Sequence, residues 1–335
     1  MRALHIQPLP DWIREAFQQA FDSAGIEVVW GGDHDNRSLK DLARTADVLL
    51  TGRRRIEQEW ITATSDLRFI QVQGRAPWAV DWDAATRAAV PVSVLPHRGA
   101  IAVAEQAIAL MLGLYRKIVP GHRGTSEATY RDLGTEPVVT SERKIAFNWL
   151  RFEDILQLHG KILGLVGLGD IGLEVARRAR AFDMDIVYHT RSPLPEAYEA
   201  LVGARYMTLD GLLAESDVVS LHAPHTPETE QMIDVEALTH IKSSTILINT
   251  ARGGLVNEKA LVDALWEGRL AGAGLDAFVE EPLPKGHPLL DCPNVLLSPH
   301  VGGGTGGGQK GMIQDVVANL QRLEAGETPH GLVER

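Results

Sequence analysis

Four places in this 335-residue chain bring together residue types that could do chemistry. The first is GKILGLVGLGDIGLEVARRARAF, where Gly167, Gly169 and Gly172 follow a short apolar run and open a helical pattern. In that setting the first glycine permits a tight turn and the second lets the backbone approach a diphosphate. The third allows close helix–strand packing, with the diphosphate at the helix N-terminus. The spacing alone says little in a chain with 32 glycines. The strand–turn–helix context points to dinucleotide binding by Gly167, Gly169, Asp170, Ile171 and Gly172, set against a glycine-rich turn that binds nothing. The other three places are INTARGGLVNE with Arg252, GAGLDAFVEEPLP with Glu281 and NVLLSPHVGGGT with His300, each just past a β-rich run. In open α/β sheets ligands bind outside the carboxyl ends of strands, so these three can converge on one crevice. Singly, each has a plainer reading: a cation near a helix start, a solvated turn acid before Pro282, and a satisfied loop histidine.

About 20 residues beyond such a glycine loop, an acid at the end of the second strand would hold a ribose 2′-hydroxyl. Here that strand, Asp185–Tyr188, ends in His189-Thr190-Arg191-Ser192, without an acid. Asp183 and Asp185 lie at its other end, too far away at ~3.3 Å per residue. Arg191 and Ser192 suit a 2′-phosphate instead, which favours NADP and leaves NAD possible. The alternative is a solvated surface arginine.

The elements that must position these residues alternate along the chain. Short β-rich runs are expected at Ala3–Ile6, Glu27–Trp30, Val48–Thr51, Arg68–Val72 and Val92–Leu95. A second series follows at Ile162–Val166, Asp185–Tyr188, Asp217–Leu221, Thr245–Asn249, Gly274–Phe278 and Asn294–Leu297. Amphipathic stretches such as DWIREAFQQAF lie between them, and this alternation predicts parallel sheets covered on both faces. Ala100–Lys117 reads as one long helix. Val119–His159 has little periodicity and reads as an excursion or arm. VGGGTGGGQKG at 301–311 is a hinge candidate followed by a last helix, Met312–Glu324, so the chain is expected to return to its first domain. The expected division is a substrate domain of 1–99 with 301–335 and a dinucleotide-binding domain of 100–300.

Composition bounds the function classes. Apolar residues make up 44% and charged residues 23%, ordinary for a globular chain of about two domains. Asp plus Glu number 44 against 33 Lys plus Arg, a net charge of −11, which argues against nucleic-acid or anionic-membrane partners. The single cysteine, Cys292, excludes an internal disulfide framework and multi-cysteine metal sites, and no metal is expected. No signal peptide or uninterrupted membrane-length apolar run is read, so a cytoplasmic protein is expected.

Taken together, LHGKILGLVGLGDIG, SDVVSLHAPHTPET, LINTARGGLVNE, AGAGLDAFVEEPLP and NVLLSPHVGG resemble the D-2-hydroxyacid dehydrogenase family, which includes glyoxylate/hydroxypyruvate reductases. The resemblance runs from about Arg68 to the C-terminus; the first ~65 residues share only a βα pattern. It implies two α/β parallel-sheet domains, a Rossmann coenzyme domain inserted in a flavodoxin-like substrate domain, and a homodimer. It implies that Arg252 is the catalytic arginine and binds substrate. The glutamate is Glu281 rather than Glu280, the histidine is His300, and Asp276 holds the nicotinamide carboxamide. By residue type, an imidazolium beside a carboxylate can protonate the alkoxide formed by hydride transfer, and an arginine fork can orient a carboxylate and polarise a 2-oxo group. Where the family has a small glycine-rich substrate loop, this chain has Gln73-Gly74-Arg75-Ala76-Pro77-Trp78; backbone amides of Gly74, Arg75 and Ala76 are expected to hold the substrate carboxylate. The family's asparagine near Gly99 is missing. The resulting reading is an NAD(P)-dependent oxidoreductase of a small 2-oxoacid or D-2-hydroxyacid. A dinucleotide-sensing binding protein resembling corepressors of the same fold is the alternative. The glutamate argues against the related formate dehydrogenases, which carry glutamine there.

Overall fold

The structure, a computed structural model, describes residues 1–52, 54–74, 79–304 and 308–333. It divides into two units, Met1–Ala102 with Gly303–Arg335, and Val103–Gly302. The first is built on five parallel strands, β1 (Arg2–His5), β2 (Glu27–Trp30), β3 (Val48–Thr51), β4 (Phe69–Gln73) and β5 (Val92–Leu95), in the order β2-β1-β3-β4-β5. That is the flavodoxin-like order. Successive strand side chains face opposite ways, so each strand serves two cores. Ala3, Val48, Leu50 and Phe69 pack with α1 (Asp11–Ser23) and α12 (Gly308–Glu324). Leu4, Leu49, Ile70 and Val72 pack with α2 (Asn36–Ala43), α3 (Gln58–Ile61) and α4 (Trp82–Arg87). The returning α12 contributes Ile313, Val316 and Leu320 to the buried core. Asn319 on the same helix donates to Gln71 Oε1 (2.9 Å) and to the His330 carbonyl (2.9 Å), which ties down the end of the chain.

The second unit carries seven parallel strands: β6 (Ile162–Val166), β7 (Asp185–His189), β8 (Ala204–Tyr206), β9 (Val218–Leu221), β10 (Ile246–Asn249), β11 (Gly272–Leu275) and β12 (Val295–Leu297). Their order, β12-β11-β10-β9-β6-β7-β8, reverses direction between β6 and β9, the switch point where such sheets bind nucleotides. One face is covered by α5 (Arg98–Tyr115), α7 (Asp170–Arg180) and α8 (Glu196–Val202). The other is covered by α9 (Leu209–Glu215), α10 (Ala237–His240) and α11 (Glu258–Trp266). By length and composition α5 could cross a membrane. Its Ala104, Ala107, Leu110, Met111 and Tyr115 are instead buried against the sheet.

Three local expectations need correction. β8, only three residues long, has no apolar run to announce it. β11 begins at Gly272 and ends at Leu275 rather than spanning Gly274–Phe278. A Cβ on Gly274 would stand 2.9 Å from Leu110 Cβ, so the closeness of α5 demands small residues that read weakly as strand. The stretch taken as irregular opens with α6 (Ile118–Ser126), and Lys117, in the left-handed conformation at φ 53°, separates it from α5.

Candidate active site

The glycine loop joins β6 to α7. Gly167 has φ 100°, and a Cβ there would lie 2.7 Å from the His222 carbonyl at the end of neighbouring β9. A Cβ on Gly172 would meet the Gly167 carbonyl at 2.3 Å, while one on Gly169 would meet nothing within 4 Å. Gly169 is the N-cap of α7 and offers no side-chain cap. The helix therefore starts without a side-chain cap, and its N-terminal amides and dipole favour an anion there. A dinucleotide diphosphate fits this cradle. The next turn follows β7, whose last residue pairs in register with Val166. There Arg191 and Ser192 are both exposed, and the Thr190 hydroxyl donates to the Ser192 carbonyl (2.7 Å).

Arg252 follows β10 by three residues. Buried Asn249 brackets it: the Asn249 side chain donates to the Arg252 carbonyl (2.9 Å) and accepts the Ala251 N–H (3.0 Å). Arg252 is exposed, with one guanidinium nitrogen donating to the Ala251 carbonyl (2.6 Å). The turn has no room for a side chain at Gly253, where a Cβ would overlap the Phe278 carbonyl carbon at 1.9 Å. Backbone thus rests on backbone between the arginine turn and the segment that carries Glu281.

Glu281 and His300 are brought together. His300 Nδ1 lies 2.6 Å from Glu281 Oε2, and the Phe278 N–H donates to Glu281 Oε1 at 2.9 Å. Burial pushes the Glu281 carboxyl up, but the Phe278 amide, His300 and Arg252 outweigh it and hold the group below its ordinary value. With Nδ1 on the carboxylate, Nε2 is the nitrogen left to exchange a proton with a ligand. His300 itself has φ 53°, a left-handed conformation that needs anchoring. Asp276 supplies the anchor: its carboxylate accepts the Val301 N–H (3.1 Å), the Gly302 N–H (2.7 Å) and the Ser298 hydroxyl (2.5 Å). Gln106 on α5 donates to that hydroxyl (2.9 Å). At 2% exposure, the Asp276 carboxylate holds the chain on both sides of His300, a task the sequence reading did not give it.

Gly74 belongs to the other unit. Its N–H donates to the Leu95 carbonyl at 2.7 Å, extending the β4–β5 ladder by one residue. That amide is already engaged, which corrects the expectation that it holds a substrate carboxylate. Arg75 and Ala76 lie outside the described residues. Among the described residues, no cluster of metal-ligating side chains occurs.

Sequence reasoning also passed over His225, Glu258 and His287. The His225 ring stands where a Gly254 Cβ would be, 2.5 Å from that position, and it pairs with the Glu230 carboxylate. Glu258 accepts the Val279 N–H (2.8 Å) and faces His287 Nε2 at 3.4 Å. The LVNE motif was the only sequence signal for Glu258.

Comparison with known proteins places this geometry in context. Residues 108–302 match the model of the NAD binding domain of D-isomer specific 2-hydroxyacid dehydrogenases. The chain is 38% identical over 330 residues to a glyoxylate reductase of Thermococcus kodakarensis, with 95% of each chain covered. It is 36% identical over 310 residues to one of Thermococcus onnurineus, covering 92% of this chain and 89% of that one. Among solved structures, a glyoxylate reductase from Paecilomyes thermophila matches with a TM-score of 0.55 at 32% identity, covering 99% of this chain and 98% of the other.

Proposed function

The chain belongs to the D-isomer specific 2-hydroxyacid dehydrogenase family, and we propose that it works chiefly as a reductase of small 2-oxoacids of the glyoxylate class. It is an NAD(P)-dependent oxidoreductase acting on the CH–OH group. The observation that carries the proposed roles is the 2.6 Å pairing of His300 with Glu281 beside the Arg252 turn. The reduced nicotinamide, when bound, supplies the hydride. His300, held by Glu281, gives a proton from Nε2 to the developing alkoxide. Arg252 presents its planar fork to the substrate carboxylate and 2-oxygen, fixing orientation and polarising the carbonyl. Backbone amides at the start of α7, from Gly169 to Gly172, would hold the diphosphate.

The reading includes a preference for NADPH, supported by Arg191 and Ser192 and by the lack of an acid on their turn. It also includes a homodimer built on the 118–156 segment, where Val139, Ile145 and Phe147 are 89, 77 and 85% exposed. The dinucleotide-sensing alternative finds no support among the relatives described above. The test is turnover of glyoxylate, hydroxypyruvate and pyruvate with NADPH and with NADH. Turnover of at least one of the first two supports the reading, and no reduction of any 2-oxoacid overturns it.

A further inference from the structure

We infer that Glu258, oriented by His287, is a positioning residue that sets the geometry of the Glu281–His300 pair. The inference rests on the proposed role of that pair. The segment from Asp276 to His287 contains neither helix nor strand, yet it must hold Glu281 against an imidazole on a different loop. It is gripped at one point from two sides. On one side Gly253 of the arginine turn lies against the Phe278 carbonyl and the Val279 nitrogen, so close that a Cβ would overlap both at 2.2 Å. On the other side Glu258, the first residue of α11, accepts the Val279 N–H through Oε1 at 2.8 Å.

The second oxygen, Glu258 Oε2, lies 3.4 Å from His287 Nε2. His287 Nδ1 accepts the Leu289 N–H at 3.3 Å, which requires that Nδ1 be unprotonated and Nε2 carry the hydrogen. The Nε2 hydrogen is thereby on the edge of the ring nearest Glu258, with Nε2 3.4 Å from the carboxylate, an electrostatic contact rather than a hydrogen bond. Both side chains are largely buried, at 21% and 16% exposed, so the contact is shielded more than one at the surface. The chain of contacts then runs from His287 to Glu258, to the Val279 amide, and on through the adjacent Phe278 amide to Glu281 Oε1, whose partner oxygen holds His300. Glu258 makes no hydrogen bond or ion pair with His300 or Arg252. Its leverage is the fixed position of two consecutive backbone amides, one held by Glu258 and the other holding Glu281.

A structural role alone would lower stability and leave the proton chemistry untouched. A positioning role moves the alkaline limb of the pH profile for reduction, because a misplaced carboxylate no longer favours the imidazolium. The experiment measures kcat against pH for wild type, Glu258→Ala, Glu258→Gln and Glu281→Gln, with cofactor affinity read separately from NADPH fluorescence. Glu258→Ala is expected to lose roughly ten- to a hundredfold in kcat, with the limb moved to lower pH by less than in Glu281→Gln and cofactor affinity unchanged. Glu258→Gln, which keeps an oxygen for the Val279 N–H, recovers part of both losses. If Glu258→Ala is insoluble, His287→Phe gives the readout, with a smaller shift in the same direction. A wild-type limb in Glu258→Ala or the substituting His287→Phe, beside a moved limb in Glu281→Gln, overturns this inference alone. An unmoved limb in Glu281→Gln overturns the pairing and this inference with it.

Discussion

Glu281 divides its carboxylate between a backbone amide of its own loop, Phe278 N–H at 2.9 Å, and the imidazole of His300 at 2.6 Å. The first bond aims the second. Replacing Glu281 with Gln keeps the size of the group and removes its charge, so the imidazolium loses a favourable neighbour. The reduction rate at saturating substrate is expected to fall off at a lower pH than in wild type, with cofactor affinity preserved. A pH profile that overlays the wild type would remove the pairing from the mechanism.

Arg252 is exposed, with its carbonyl held by Asn249 and one guanidinium nitrogen on the Ala251 carbonyl, so the rest of the fork faces outward for a ligand. Arg252→Lys keeps the charge and loses the planar pair of donors. We expect kcat/KM for the 2-oxoacid to drop by about a hundredfold or more while NADPH binding stays within twofold. Near-native kcat/KM in this variant would show that the fork does not orient substrate.

Arg191 and Ser192 stand exposed beyond β7. A charge-assisted contact of this kind is worth roughly 1.5–3 kcal/mol, or about one to two decades in affinity. Wild type is therefore expected to prefer NADPH, and Arg191→Ala to lose NADPH efficiency while keeping NADH efficiency. Equal use of both cofactors by wild type, or equal losses in the variant, would leave the phosphate contact without support.

The exposed Ile145 and Phe147 give the homodimer its test. The double substitution Ile145→Glu with Phe147→Glu removes exposed apolar area at little cost to a monomer. Light scattering after gel filtration is expected to show a dimer for wild type and a monomer for the variant. A monomeric wild type, or a variant that stays dimeric, counts against this surface.

Stability should depend on acid through buried histidines. Burial pushes His5 down to about 4, against an ordinary 6.5, and burial pushes His222 down to about 3. Well above pH 6.5 neither the folded nor the unfolded chain protonates these rings, and the stability they allow is fully present. As pH falls from 6.5 to 4 the unfolded chain takes up a proton at His5 that the folded chain refuses, which costs about 3 kcal/mol by pH 4. The urea midpoint is expected to decline across that window. His5→Leu should flatten the decline; an unchanged slope would assign the acid sensitivity elsewhere.

What the sequence determined by itself is local. The turn at Gly167 needs φ 100° and a bare Cα, and a glycine announces both requirements in one letter. Parallel sheets follow from apolar runs alternating with helical periodicity, and Arg252, Glu281 and His300 are legible because each sits in a distinctive string just past a strand. The tertiary structure decided which of these groups touch. Glu281 and His300 are 19 residues apart, Glu258 and Val279 are 21 apart, and Asp276 and Gly302 are 26 apart. Each meeting depends on the order of β9, β10, β11 and β12 in the sheet and on how closely Gly253 lets one loop approach another. The same holds for Gly74, whose amide was free to be assigned to a ligand until the register of β4 on β5 gave it to Leu95. A residue's type sets what it can bond, but strand order and backbone packing select the partner, and a single sequence does not state those distances.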